Sequence, residues 1–97
     1  MNLIDATYIH EAGGKEILEQ LIEKIDKNKF MFLLDDRLIL RKEYENKINF
    51  KTIKKGEFNR LKFYKKNAKK YTKVVCLANV PPPFKFDSEV YIYFHND

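Results

Sequence analysis

The chain contains few of the residues on which several classes of protein depend. Cys76 is the only cysteine among 97 residues, which excludes an intrachain disulfide and a thiolate metal site and suits a reducing compartment. The only histidines are His10 and His95, too few for a zinc site without further ligands. No apolar run approaches the roughly 18 residues of a membrane span, and no secretory leader is recognisable. The sequence therefore predicts one cytoplasmic domain, residues 1–97.

Positive charge is concentrated in the second half of the chain. The first 47 residues carry eight basic and ten acidic side chains, whereas the remainder carries eleven and four, for a net charge of +5. The basic stretch 54–73 also contains Phe58, Tyr64 and Tyr71, whose spacing follows the core face of a helix. The lysines form either a solvated face or a surface for an anionic partner, a nucleic acid or a membrane. A small non-catalytic α/β module that binds such a partner through residues 54–73 is one interpretation of the whole chain.

Hydrophobic periodicity predicts five strands and two helices. The strands are predicted at residues 2–6, 30–34, 48–53, 73–78 and 89–94. The helices are predicted at residues 15–27 and 57–71, and residues 38–46 form either a loop or a short helix. Uninterrupted apolar residues in the second and fourth strands indicate burial on both faces, as in parallel sheets. The expected fold is α/β, a Rossmann-like three-layer sandwich with a mostly parallel five-stranded sheet and the order β-α-β-β-α-β-β.

The predicted topology brings several polar or small residues to one edge of the sheet. Right-handed crossovers place the first strand centrally, with strands two and three on one side and strands four and five on the other. The carboxyl ends of the first and fourth strands then form a switch point, where α/β proteins bind ligands. A turn at Gly13-Gly14, Asn79 and the pair His95-Asn96 are expected to converge there.

Three motifs, in order along the chain, carry a resemblance to a known family. The first is Asp5-Ala-Thr-Tyr-Ile-His-Glu-Ala-Gly-Gly14, a strand that leads through two glycines into a helix. The second is Asn79 followed by the loop Pro81-Pro82-Pro83, and the third is Val-Tyr-Ile-Tyr-Phe-His-Asn at residues 90–96. Together they resemble the N-terminal domain of bacterial glycosyltransferases with the two-Rossmann (GT-B) architecture.

The resemblance implies sugar transfer from a nucleotide-sugar co-substrate to a saccharide or lipid-linked acceptor, with no bound cofactor and no metal. It implies that Gly13 and Gly14 lie near the donor phosphates and that His10, Asn79 and Asn96 contribute to substrate binding. His95 would be the catalytic base of an inverting reaction.

The family's donor-binding domain has no counterpart in residues 1–97. The chain is therefore predicted to be a truncated acceptor-side domain that is inactive alone. It would need a separate donor-binding domain or would self-associate. A lipid-linked acceptor would place it at the inner face of the membrane.

Several of these residues also have structural interpretations. Gly13-Gly14 suits a tight turn before a helix, and a strand-end carboxylate such as Asp5 commonly caps the following turn instead of acting as a base. The adjacent Asp35 and Asp36 form either a metal or acid/base pair or two side chains that diverge. Cys76 lies in an apolar strand and is predicted to be buried and unreactive.

Overall fold

The computed structural model describes residues 1–9, 12–77, 82 and 89–92. The strands are β1 (Asn2–Ala6), β2 (Phe30–Asp35), β3 (Asn49–Ile53), β4 (Lys73–Cys76) and β5 (Glu89–Ile92). The helices of this part of the chain are α1 (Ala12–Lys24), α2 (Lys42–Glu45) and α3 (Glu57–Asn67), and a turn of 3-10 helix follows at Ala68–Lys70. The sequence left residues 38–46 open between a loop and a short helix, and the structure has the short helix α2 there. This helix adds one element to the predicted order.

All five strands belong to one sheet with the order β3-β2-β1-β4-β5. Every neighbouring pair is parallel, with Asn2 opposite Phe30 and Leu3 opposite Val74 across the central strand. The sequence predicted a mostly parallel sheet of five strands; five strands are confirmed, all of them parallel, and the layout is consistent with a Rossmann-like fold. The edge strands of the described sheet are β3 and β5.

Helices cover both faces of the sheet, because successive strand residues point to opposite sides. We call these the α1 face and the α3 face. On the α1 face the core is built from Leu18 and Ile22 of α1 against Ile4, Phe32 and Leu34 of the sheet. On the α3 face it is built mainly from the following side chains: Leu3, Leu33, Phe63, Tyr64, Tyr71, Val74 and Cys76. Burial on both faces explains the uninterrupted apolar sequence of β2.

Helix α1 begins earlier than its sequence predicts. It starts at Ala12, so Gly13 and Gly14 lie in its first turn and not in a turn that precedes it. A Cβ atom on Gly14 would lie 3.4 Å from Cγ2 of Ile9, an ordinary van der Waals distance. The prediction of a Gly-Gly turn was wrong because glycine is compatible with the first turn of a helix as well as with a loop.

Gly14 and Gly56 are expected to respond in opposite directions to alanine. Gly14→Ala should raise the free energy of unfolding by up to about 1 kcal/mol, since alanine favours the helix and its Cβ meets Ile9 at contact distance. Gly56 has a φ of +123°, so Gly56→Ala should lower that free energy by about 1–3 kcal/mol. Urea denaturation of the two variants measures both, and a stabilising Gly56→Ala would contradict the backbone geometry.

Helix α3 buries a different face from the one that its apolar residues predict. Phe58, expected in the core, is 67% exposed, whereas Arg60, expected at the surface, is 1% exposed. Phe63 and Asn67 are also buried, and Tyr64 is buried as expected. The spacing of apolar side chains gives no information on polar contacts. In the structure Arg60 faces the sheet because it binds the carboxylate of Asp5.

Candidate functional site at the carboxyl edge of the sheet

The central strand β1 ends where a parallel α/β sheet commonly binds its ligands. Its neighbours β2 and β4 lie on opposite sides of it, with α1 following β1 and α3 preceding β4 along the chain. The first turn of α1 therefore opens at this edge, and its leading N–H groups have no partner within the helix. The carboxyl end of β1, with Asp5, lies in the same region, and Thr7 and Tyr8 follow it directly.

Asp5 is the centre of a buried polar network at this edge. Its Oδ1 accepts hydrogen bonds from the backbone N–H of Thr7 at 3.1 Å and from Thr7 Oγ1 at 2.7 Å. Its Oδ2 accepts from Nε and Nη2 of Arg60, each at 2.9 Å, and from the Tyr64 hydroxyl at 2.5 Å. The capping interpretation of Asp5 is correct, and an ion pair that the sequence did not reveal accompanies it.

The guanidinium of Arg60 extends the network towards the surface. Its Nη1 donates to Glu57 at 3.3 Å, and Glu57 also accepts a hydrogen bond from the Tyr8 hydroxyl. The ring centroids of Tyr8 and Tyr64 each lie 5.5 Å from the centre of the guanidinium. Two carboxylates and two aromatic rings thus surround a buried positive charge, which desolvation would otherwise make unfavourable.

The network holds its groups in fixed protonation states. Burial, followed by the hydrogen bond to Glu57, raises the pKa of Tyr8 to about 12. Burial and the charge of Asp5 also raise the pKa of Tyr64 above its ordinary value. Burial opposes the charge of Arg60, but the charge of Asp5, the neighbouring Tyr64 and the hydrogen bond to Asp5 together outweigh burial and raise the pKa of Arg60 above its ordinary value. All three shifts move the pKa further above 7, so the two tyrosines stay uncharged and Arg60 stays positively charged near pH 7.

Asp35 ends β2 on the α3 face and has its own cationic partner. Its carboxylate accepts hydrogen bonds from the backbone N–H of Arg37 at 2.9 Å and from Nη2 of Arg37 at 2.5 Å. Asp35 is buried, whereas the adjacent Asp36 is exposed. The two carboxylates therefore diverge and do not form a metal or acid/base pair.

Cys76 is buried on the α3 face beside Arg60, with Sγ 3.9 Å from Nη2. Burial and the charge of Asp5 raise the pKa of its thiol to about 11 from an ordinary value of 9.0. Because the thiolate is the reactive form, a shift of this size lowers its population about a hundredfold near neutral pH. We expect the native protein to react with a thiol reagent at pH 8 at least about a hundred times more slowly than the urea-unfolded chain. Equal rates would show that Cys76 is accessible and contradict its placement.

The residues predicted to bind substrate fall mainly outside the described part of the chain. His10, Asn79, His95 and Asn96, including the predicted catalytic base, lie among the residues that the structure does not describe. Gly13 and Gly14 do lie at the carboxyl edge, in the first turn of α1. Their proximity to donor phosphates stays a prediction.

Sequence reasoning missed Arg60, Tyr64, Glu57 and Tyr8 as partners at this edge. One signal was available, because Arg60 and Tyr64 are four residues apart and share a helix face, as do Glu57 and Arg60 at a spacing of three. These spacings indicate which side chains of α3 are neighbours, but they do not identify Asp5 as the partner of Arg60.

The predicted basic surface is present on the α3 side. Its lysines are exposed, and the exposed ring of Phe58 lies 4.6 Å from the ammonium group of Lys62. In residues 54–73 eight lysines accompany one carboxylate, that of Glu57, which is already engaged by Arg60 and Tyr8. One of these lysines, Lys73, also lies 3.9 Å from Glu89 of β5. The surface therefore combines an excess of positive charge with one exposed aromatic side chain.

The described ranges lack two features that would indicate particular functions. Among these residues, no three histidine, cysteine, aspartate or glutamate side chains come together in a group that could hold a metal ion. No described helix has the length and apolar character needed to cross a bilayer.

Comparison with known proteins gives no identification. No family model, no curated protein and no solved structure matches this chain. Functional inference therefore depends on the geometry of the carboxyl edge, on the α3 surface and on the motifs of the sequence.

Proposed function

We propose that the chain is the acceptor-side domain of a glycosyltransferase that transfers a sugar from a nucleotide-sugar to a saccharide or lipid-linked acceptor. The resemblance of three ordered motifs to GT-B enzymes supports this, and a parallel α/β sheet is the fold that such a domain requires. Activity would need a separate donor-binding domain, and His95 is the proposed base.

One structural observation carries the proposal. Helix α1 begins six residues after the end of the central strand β1, so its first turn, with Gly13 and Gly14, opens at the carboxyl edge of the sheet beside β4. The backbone N–H groups of a first helical turn and the positive end of the helix dipole favour the phosphate groups of a nucleotide-sugar at this position. The Asp5–Arg60 network secures the strand end from which this connection starts.

An NMR titration of the ¹⁵N-labelled protein with a panel of nucleotide-sugars tests the proposal. We expect one member to perturb the backbone amides of residues 13–15 at physiological salt. Lys15→Glu places a carboxylate in the first turn, where it repels a bound phosphate. The variant should bind about fivefold more weakly or worse, since a charge at a helix terminus contributes about 1 kcal/mol.

Lys24→Glu makes the same change of charge in the last turn of α1, far from the edge, and is the matched control. Its affinity should stay within about twofold of the parent, as expected for an exposed charge at a distance. No perturbation of amides 13–15 by any nucleotide-sugar, or equal losses in the two variants, would contradict donor binding at this edge.

A second candidate function rests on a different observation, the exposure of Phe58 together with the α3 lysines. It is a non-catalytic module that binds an anionic partner, a nucleic acid or a membrane surface, through residues 54–73. Binding of this kind weakens steeply as salt rises. Titrations against a single-stranded oligonucleotide and against anionic vesicles at two salt concentrations would distinguish it from a nucleotide site, which discriminates between bases and sugars.

A further inference from the structure

A groove lies between the carboxyl end of β3 and α3, on the α3 face of the sheet and two strands away from β1. The groove is open to solvent and has a volume of about 310 Å³, which is at the lower end of the range for ligand sites. Ile53 and Phe63, which pack into the core of the α3 face, form part of its lining. Lys54, Lys62 and Lys66 also line it, and all three are exposed.

From this arrangement we infer that the groove binds a multiply charged phosphate group, a diphosphate or a phosphomonoester. The inference deepens the second candidate function, because it gives the basic surface a defined pocket and a ligand chemistry. It does not depend on sugar transfer at the carboxyl edge.

The charges around the groove are of one sign. Its lining contains no carboxylate, and within the described residues none of Lys54, Lys62 and Lys66 forms an ion pair. The nearest acidic residue along α3, Glu57, is bonded to Arg60 and Tyr8. Three ammonium groups beside a partly apolar wall raise the local positive potential, which favours an anion of several charges over a monovalent one.

Contacts between the loop and the helix organise the groove before any ligand binds. The side-chain Nδ2 of Asn59 lies 3.4 Å from the carbonyl oxygens of both Lys54 and Lys55 and donates to them, which ties the end of β3 to α3. Asn67 donates to the Phe63 carbonyl at 3.0 Å. Lys62 and Lys66 are one turn apart on the same helix face, where side chains are neighbours. A site whose backbone is already in place loses less entropy when it binds.

The test is an NMR titration of the ¹⁵N-labelled chain with inorganic diphosphate at physiological salt, with sulfate at equal ionic strength as the reference anion. We expect diphosphate to perturb the amides of residues 54, 59, 62 and 66 more strongly than sulfate does. The triple variant Lys54→Gln, Lys62→Gln, Lys66→Gln should bind at least about tenfold more weakly.

The matched control is the triple variant Lys65→Gln, Lys69→Gln, Lys70→Gln. It removes the same charge from the same side of the protein, but none of these lysines lines the groove. Its affinity should stay within about twofold of the parent. Equal losses in the two triple variants would overturn the groove and leave a diffuse basic surface. If neither an anion nor a vesicle binds, the groove and the second candidate function are both wrong. That result would not affect the separate prediction that a nucleotide-sugar perturbs the amides of residues 13–15.

Phosphatidylcholine vesicles doped with phosphatidic acid identify the source of the phosphate. Cosedimentation that the groove triple variant loses and the control variant keeps supports the inference with a lipid headgroup as the ligand. Binding of soluble diphosphate without cosedimentation supports it with a soluble phosphate compound as the ligand.

Discussion

Replacing Arg60 with methionine is expected to lower the free energy of unfolding by about 3–5 kcal/mol. Arg60 and Asp5 are both almost completely buried, and two nitrogens of Arg60 lie 2.9 Å from the same carboxylate oxygen. Methionine replaces the apolar stem of the arginine side chain but leaves the Asp5 carboxylate buried without its cation. Since the whole domain is stabilised by only about 5–15 kcal/mol, the variant should unfold at a much lower urea concentration.

The exposed pair of Lys47 and Glu23, whose N···O distance is 2.7 Å, provides the control. Lys47→Met should change the free energy of unfolding by less than about 1 kcal/mol, because solvent screens surface pairs. A double-mutant cycle of Arg60→Met with Asp5→Asn should give a coupling free energy of about 2–3 kcal/mol. If Arg60→Met costs no more than Lys47→Met, the buried network does not stabilise the fold.

Replacing Phe32 with alanine should cost about 3–5 kcal/mol, because its ring is 0% exposed and packs in the core of the α1 face. The ring fills the space between β2 and α1 beside Leu18 and Ile22. Its removal leaves a cavity that the neighbouring backbone can close only in part. The loss is measurable as the change in urea midpoint at constant slope.

Phe50 is the matched control, since it lies directly opposite Phe32 in the register of β2 and β3. It is 37% exposed at the edge of the sheet, so Phe50→Ala should cost less than about 2 kcal/mol. Equal costs at the two positions would be inconsistent with β3 as the edge strand and β2 as an inner strand.

The elements of this fold were largely predictable from local pattern. Continuous apolar residues in β2 indicated a strand buried on both faces, and the spacing of Leu18, Leu21, Ile22 and Ile25 indicated the buried side of α1. Each of these two patterns is complete within about a dozen consecutive residues. Helix ends were less predictable, as the start of α1 at Ala12 shows, because glycine is compatible with a turn and with a first helical turn.

Sequence alone therefore determined the class of fold, the parallel sheet and the concentration of positive charge after residue 47. Only the tertiary structure decided that Arg60 is buried and Phe58 exposed, since the contact with Asp5 joins residues 55 positions apart. It also decided that Lys54 meets Lys62 and Lys66 around one groove. Burial of a charge depends on a partner supplied by another element, and no local periodicity encodes where that partner will lie.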